Sequence, residues 1–527
     1  MTVSDHCRRD PAGLLCLRPR GGQRPVRMPV KVPMRVTRLP VLAVGLLLAA
    51  AAACTLEEDF LTAAGTELRF SVDTLRFDTV FTEVGTATRS FKVYNPHTQP
   101  VSIASIRVAS DAGGRFRINV DGVGGADRVE DVFLPPEDSI YVFVEVTVDP
   151  DVPASVSPFV FHGTVVVQAV DVEQVVTLEA FGQNAVYLPA DRTRANFGVL
   201  TCDLGELVFD DPRPYVLYGS LVVDSCTLTL PPGCRLYVHG GLVANPELFP
   251  QSPIFNDGLI IVAGAGKLNV AGTAEQPVLI ASDRLEERFR EVGGQYSGIR
   301  LGAASGPHRI RHARIRNGIV GVFADSLAEL EIRDTEIAYT TSAAIVGYQA
   351  DIRGVNVAAH SNGGGAVRAI KGGRYGFDHC TFVNYTGREA AVALSNGFQL
   401  TREVALSAPL EAEIRNSIIY GSLADELALI EFKEPPAPFA YSLRNSVLRS
   451  TRVPVERADF ADRCIDCLFP PIDSPLFLLP SRDTFLLDTL SVAEGIAAPL
   501  PGVEADLLGN PRDAVAPDAG AYEYVPQ

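Results

Sequence analysis

The chain has 527 residues, of which 47% are hydrophobic and 21% charged, a composition that excludes a disordered polymer and leaves room for two or three domains. Its net charge of −17 is uneven: residues 1–53 hold nine Lys/Arg and two Asp, so the remainder carries 37 basic and 61 acidic residues, or −24. A body that acidic repels phosphate backbones, which argues against a nucleic-acid partner.

The first feature along the chain is an apolar run of 15 residues, Leu39 to Ala53. It is shorter than the roughly 20 residues a bilayer span needs. Arg35 and Arg38 precede it and small residues close it, which is the layout of a secretory signal. Ala51-Ala52-Ala53 then meet Cys54, an order that resembles the lipobox of bacterial lipoproteins, with Ala51 where that family prefers Leu. The resemblance implies cleavage after residue 53, acylation of Cys54 and membrane attachment through the lipid. It also places the working start at Met34 or Met28, making the upstream basic, Pro-rich stretch a spurious extension. Glu57-Glu58-Asp59, within an acidic linker over 54–64, resembles the surface-export signal of Bacteroidetes lipoproteins. That likeness implies an outer-membrane anchor facing the cell exterior, with a periplasm-facing anchor as the alternative.

From about 65 to 185, short apolar-polar alternating segments follow one another between Gly, Pro and Asp turns. In SIYVFVEVTV, Ile140, Val142, Val144, Val146 and Val148 share one face, and Tyr141, Phe143, Glu145 and Thr147 the other. Period 2 predicts half-buried antiparallel strands, and seven or eight of them predict a β-sandwich. The phrases SFKVYNPHTQPVSIASI and LPPEDSIYVFVEVTV resemble Hydin-like immunoglobulin domains, which implies a spacer or adhesive unit without catalysis.

Residues 190–470 contain an irregular internal repeat. Six hexads share an apolar-polar-any-small-any-apolar pattern: Ile310–Ile315, Ile332–Ile337, Ile352–Val357, Phe377–Phe382, Ile414–Ile419 and Leu443–Leu448. One strand per coil of a solenoid accounts for them, with loop insertions at 398–411 and 432–440. The apolar positions do not share parity, so a bend must lie inside each hexad. The small fourth residue (Ala313, Thr335, Val355, Cys380, Ser417, Ser446) is then expected in the interior. Upstream, GSLVVDSCTLTLPPGCRLYVHGGL, AGTAEQPVLIAS and GGQYSGIRL resemble right-handed parallel β-helix lipoproteins of the pectin-lyase-like fold, with Tyr296 in place of their Trp. The ending DLLGNPRDAVAPDAGAYEY resembles the terminus of the same proteins, implying that 471–527 caps the last coil. The predicted fold is therefore all-β: an Ig-like sandwich followed by a right-handed parallel β-helix.

Chemistry-bearing residues are sparse. Pectin-degrading hydrolases of this fold need clustered aspartates from neighbouring coils, and lyases need a basic residue beside Ca²⁺-holding carboxylates. Arg368 and Lys371 supply a lone basic pair, and the aspartate motifs do not precede it. An acidic stripe, Asp325, Glu329, Glu331, Asp334 and Glu336, offers oxygen ligands for a Ca²⁺ site or a solvated face. An exported protein permits disulfides, and Cys202, Cys226 and Cys234 provide one pair without specifying which, while Cys464 and Cys467 suggest a small loop. Tyr339, Tyr348, Tyr375 and Tyr385 are candidate sugar-stacking residues. The leading expectation is a surface lipoprotein that binds a glycan or surface polymer without a cofactor. The alternatives are a polysaccharide lyase or hydrolase and a structural envelope component.

Overall fold

The computed structural model describes residues 60–62, 67–81, 88–109, 115–125, 127–147, 159–189, 194–247, 250–251 and 253–526. The signal, Cys54 and the acids of the linker lie outside the described residues. Within them the protein is nearly all-β.

Ten strands between Arg69 and Gln183 form two five-stranded sheets. One runs, in spatial order, Arg69–Phe70, Arg89–Tyr94, Ser139–Val146, Phe116–Val120 and Val123–Gly125. The other runs Thr74–Phe81, Val172–Gln183, Phe159–Ala169, Val101–Ala109 and Arg128–Leu134. Neighbours are antiparallel except Thr74–Phe81 beside Val172–Gln183. The period-2 pattern sorts the faces as alternation requires. Ile140, Val142, Val144 and Val146 enter a core shared by both sheets, and Tyr141 and Phe143 face out.

Beyond Val186 the chain builds one sheet of 25 strands in which each strand pairs in parallel with a strand from the adjacent coil. Three strand columns result, giving a three-faced solenoid with a single core from Phe209 to Phe460. Tyr296 sits wholly inside that core.

The hexads mark the corner between two of these faces. Ile310 pairs with Ile332, Ile332 with Gly354, Gly354 with Phe377, Phe377 with Ile414 and Ile414 with Leu443. The third hexad therefore starts at Gly354, two residues later than the sequence pattern suggests, and the starts fall 22, 22, 23, 37 and 29 apart. The register corrects one interior position: Val357 is buried and Val355 is not. Gly354 escaped the apolar pattern because it has to be small; a Cβ there would lie 2.6 Å from the Phe377 ring of the next coil. The residue occupying that corner's apolar slot is thus supplied from the neighbouring coil.

The bend is at the third position of every hexad in its corrected register. His312, Asp334, Asn356, His379, Asn416 and Asn445 all take positive φ, between 46° and 52°. These residue types tolerate the left-handed region because their short polar side chains can bond locally. The fourth position then points inward, and its hydroxyl serves the turn. Ser417 Oγ accepts from Cys380 N–H at 3.0 Å and Ser446 Oγ from Ser417 N–H at 3.1 Å. Cys380 is a core thiol whose burial pushes its pKa well up.

The expected closure of the last coil takes another form. Two short helices, Val453–Glu456 and Phe460–Arg463, lie at that end, with Phe460 in the solenoid core. Residues 471–526 instead turn back along the flank. Leu476, Phe477, Phe485, Leu487, Ala519 and Ala521 cover the outward side of Ala358, Val383, Ile418, Tyr420 and Val447. This strap also follows the bend line in reverse chain order: Ile496 O accepts from Asn445, Ala498 O from Asn416 and Ala505 O from Asn356. Arg512, buried, donates to Asn356 Oδ1 at 2.9 Å, to Gly520 O at 2.9 Å and to Glu523 at 3.0 Å. Asp506 accepts from the backbone of Leu508, Asn510 and Glu523, so the acids and arginine of the terminal motif hold the strap's own turns.

Candidate functional site

The acidic stripe does not form one face. The left-handed residue Asp334 turns the chain, so Glu329 and Glu331 lie on one face of the solenoid and Glu336 on the next. Each acid but Glu329 meets a cation. Asp325 pairs with Arg300 at 2.6 Å and Glu331 with Arg311 at 2.7 Å, both arginines from the preceding coil. Asp334 pairs with Arg333 at 3.4 Å, faces His312 at 3.6 Å and accepts from Asn356 at 2.7 Å. Glu336 is held by Arg316 and lies 3.7 Å from His360. Burial alone would raise its carboxyl, but the His360 and Arg316 contacts outweigh that and hold it at about 2. Among the described residues no group of three or more His, Cys, Asp or Glu side chains is arranged to hold a metal ion.

Asp334 and Glu336 do share a cavity of about 90 Å³ beneath the strap, with His312, Arg314, Leu508 and Tyr522.

Arg368 and Lys371 occupy one coil but serve different neighbours. Arg368 pairs with Glu389 and donates to Gly364 O at 2.9 Å. Lys371, in left-handed conformation at the corner between two faces, places its ammonium 5.0 Å from the centre of the Tyr348 ring. Of the four tyrosines, three are committed elsewhere. Tyr375 is in the core, its single O–H shared between Gly347 O at 3.0 Å and Gly372 O at 2.9 Å. Tyr339 donates to Asp483 at 3.0 Å, and Tyr385 stacks on Phe485 under the strap. Tyr348 alone of these combines partial exposure with a platform: Phe398 meets it edge-on at 6.1 Å from the hairpin Gly397–Gln399 and Ala405–Ser407. The sequence marked this hairpin only as an insertion, and its role as a wall beside Tyr348 depends on the fold.

The cysteine alternatives also resolve. Cys202 and Cys226 form a disulfide across the first coils, with Cα atoms 5.0 Å apart, and Cys234 is a buried thiol pushed up to about 11 by burial. Cys464 and Cys467 are thiols against the far end of the core; their mutual hydrogen bond raises the first and lowers the second.

No family model matches the chain, and no curated protein matches it. Likenesses to solved structures are faint. A family 123 glycoside hydrolase from Clostridium perfringens shares 6% identity over 22% of this chain and 26% of its own, at TM-score 0.17. The E. coli chaperone DraB shares 12% over 24% of this chain and 58% of its own, at 0.17. The catalytic unit of a GH87 α-1,3-glucanase from Streptomyces thermodiastaticus shares 12% over 68% and 70%, at 0.19. The chain thus spans about a quarter of that family 123 hydrolase and under three fifths of the chaperone. At these scores the likenesses carry no information about what this chain does.

Proposed function

We propose that the protein is an exported lipoprotein, anchored to the outer membrane through Cys54 and facing outward. In this reading residues 65–185 are an Ig-like stalk. Residues 190–470 are a right-handed β-helix that binds a glycan or surface polymer without cleaving it, flanked by the 471–527 strap. The observation that carries the binding role is the Tyr348 platform, with Lys371 over its ring and Phe398 beside it. A flat ring offers an apolar surface to the C–H face of a sugar, and the ammonium donates to its hydroxyls. The non-cleaving part rests on the stripe: four of its five acids are engaged by arginines, and Glu336 stays ionised far below neutrality, unsuited to donate a proton.

The chain starting at Thr55, screened on a glycan panel for binding and for release of reducing or unsaturated ends, tests both halves. Binding without release is expected, with Tyr348→Ala lowering affinity at least fivefold; release of ends from any glycan overturns the non-cleaving role. Protease added to intact cells should remove the protein if it faces outward.

A further inference from the structure

The two sheets of the N-terminal unit treat their outward charges differently. On the sheet containing Val172–Gln183 the arginines are spent on neighbouring acids: Arg76 pairs with Glu179 at 3.0 Å, Arg107 with Glu173 at 3.3 Å and Arg128 with Glu130 at 2.8 Å. The sheet containing Ser139–Val146 has another pattern. Its register puts Arg69 opposite Tyr94, Lys92 opposite Tyr141, Asn119 opposite Phe143 and Arg117 opposite Glu145, all on the outward side. That face holds three cations and one acid in a chain of net charge −17, and among the described residues none of the three cations is in an ion pair.

The same face exposes three aromatic rings, Tyr94, Tyr141 and Phe143, at 38, 42 and 38% of their surface. Tyr141 and Phe143 stack at 5.7 Å with their planes 22° apart. Lys92 lies 4.5 Å over the Tyr141 ring. Phe143 stands at the side of a depression of about 360 Å³ lined also by Thr88, Arg117, Asn119 and Glu145. That volume is in the range of small-ligand pockets, roughly 300–1,000 Å³.

We propose that this face binds a carboxylated polysaccharide, with Phe143 beneath a sugar ring and Lys92 and Arg117 engaging carboxylates on either side. A net-positive face on a net-negative protein selects an anionic partner, and an arginine fork matches a carboxylate in a way a neutral sugar does not require. Lys92 and Arg117 stand two strands apart, ~10 Å, and four residues apart along the strands, ~13 Å, so a polymer reaches both and a monosaccharide does not. The face is separate from the Tyr348 platform and does not depend on it.

Polygalacturonate is the probe and dextran the neutral control, with the chain from Thr55 run in affinity electrophoresis. Retardation by polygalacturonate alone is expected, weakening as NaCl is raised because exposed charges are screened. Phe143→Leu, which keeps apolar volume but removes the flat ring, should cut affinity at least tenfold with the thermal midpoint unchanged. Arg117→Gln and Lys92→Gln should each cut it severalfold and flatten the salt dependence; both sit on the surface, so they remain decisive if the Phe143 variant misfolds. Arg76→Gln on the opposite sheet should change nothing. No retardation by polygalacturonate, equal retardation by dextran, or retardation unchanged by both Arg117→Gln and Lys92→Gln would each overturn the proposal.

Discussion

Two flanks of the same solenoid carry polar ladders, and they are built on opposite terms. Along the bend line, His312, Asp334, Asn356, His379, Asn416 and Asn445 repeat coil after coil, and the strap lies along much of their length. On the other faces Arg300–Asp325, Arg311–Glu331 and Arg374–Asp351 repeat in the same one-coil register but stand in water. Periodicity is shared; solvent is not. A buried polar group deprived of its partner keeps the full cost of its desolvation, whereas an exposed pair exchanges its partner for water. The repeat of a side chain along a solenoid therefore says little about its weight until something covers it.

The largest effect should come from Arg512, whose guanidinium is buried against Asn356, Gly520 O and Glu523. Arg512→Ala strips a buried pair and is expected to cost ~3–5 kcal/mol in chemical denaturation. A cost below 1 kcal/mol would mean that the strap is not held by its bend-line contacts.

Acid should separate the flanks next. Burial, reinforced by Arg512, lowers His379 to about 3, against about 6.5 in an unfolded chain. Between those values the unfolded state binds the proton and the folded state refuses it, so stability falls as pH drops from about 6.5 towards 3. His379→Asn keeps a residue that accepts the left-handed bend and should flatten that fall, seen as a smaller difference between denaturant midpoints at pH 7 and pH 5. His308, lowered to about 4 by burial, acts in the same direction and persists in that variant.

The smallest effect belongs to the open flank. Arg311→Ala breaks a pair whose side chains are 47 and 39% exposed, and should cost at most ~1 kcal/mol, less in high salt. A larger loss would erase the distinction between the two ladders.

Much of the architecture could be read in advance because it follows from periodicity. Alternation in Ile140–Val146 and the recurrence of hexads report burial directly, so strands and coils emerge from them. The required bend was legible from parity, and its residues are the Asn, Asp and His that left-handed backbone favours. What escaped depends on contacts between coils. Gly354 reads as a break in the pattern because the side chain that fills its place is Phe377, 23 residues on. The acidic stripe read as a Ca²⁺ site or a solvated face, and its pairing was hidden, because its arginines sit 20 to 25 residues away in sequence and one coil away in space. Tyr141 and Phe143 were visible as outward residues, but their stacking, and the unpaired cations around them, needed the sheet register.

The strap also sets the order in which the molecule can be finished. Each coil closes on its predecessor over 20 to 40 residues, so the solenoid can wind as the chain emerges, by loops that are entropically cheap. Arg512 must find Asn356 across 156 residues, and Ala521 must find Thr381 across 140. Until that last segment arrives, the apolar flank of Ala358, Val383, Ile418 and Val447 stays bare. The wound but unstrapped chain is therefore the species exposed to aggregation and to folding helpers, and docking of the final residues ends that exposure.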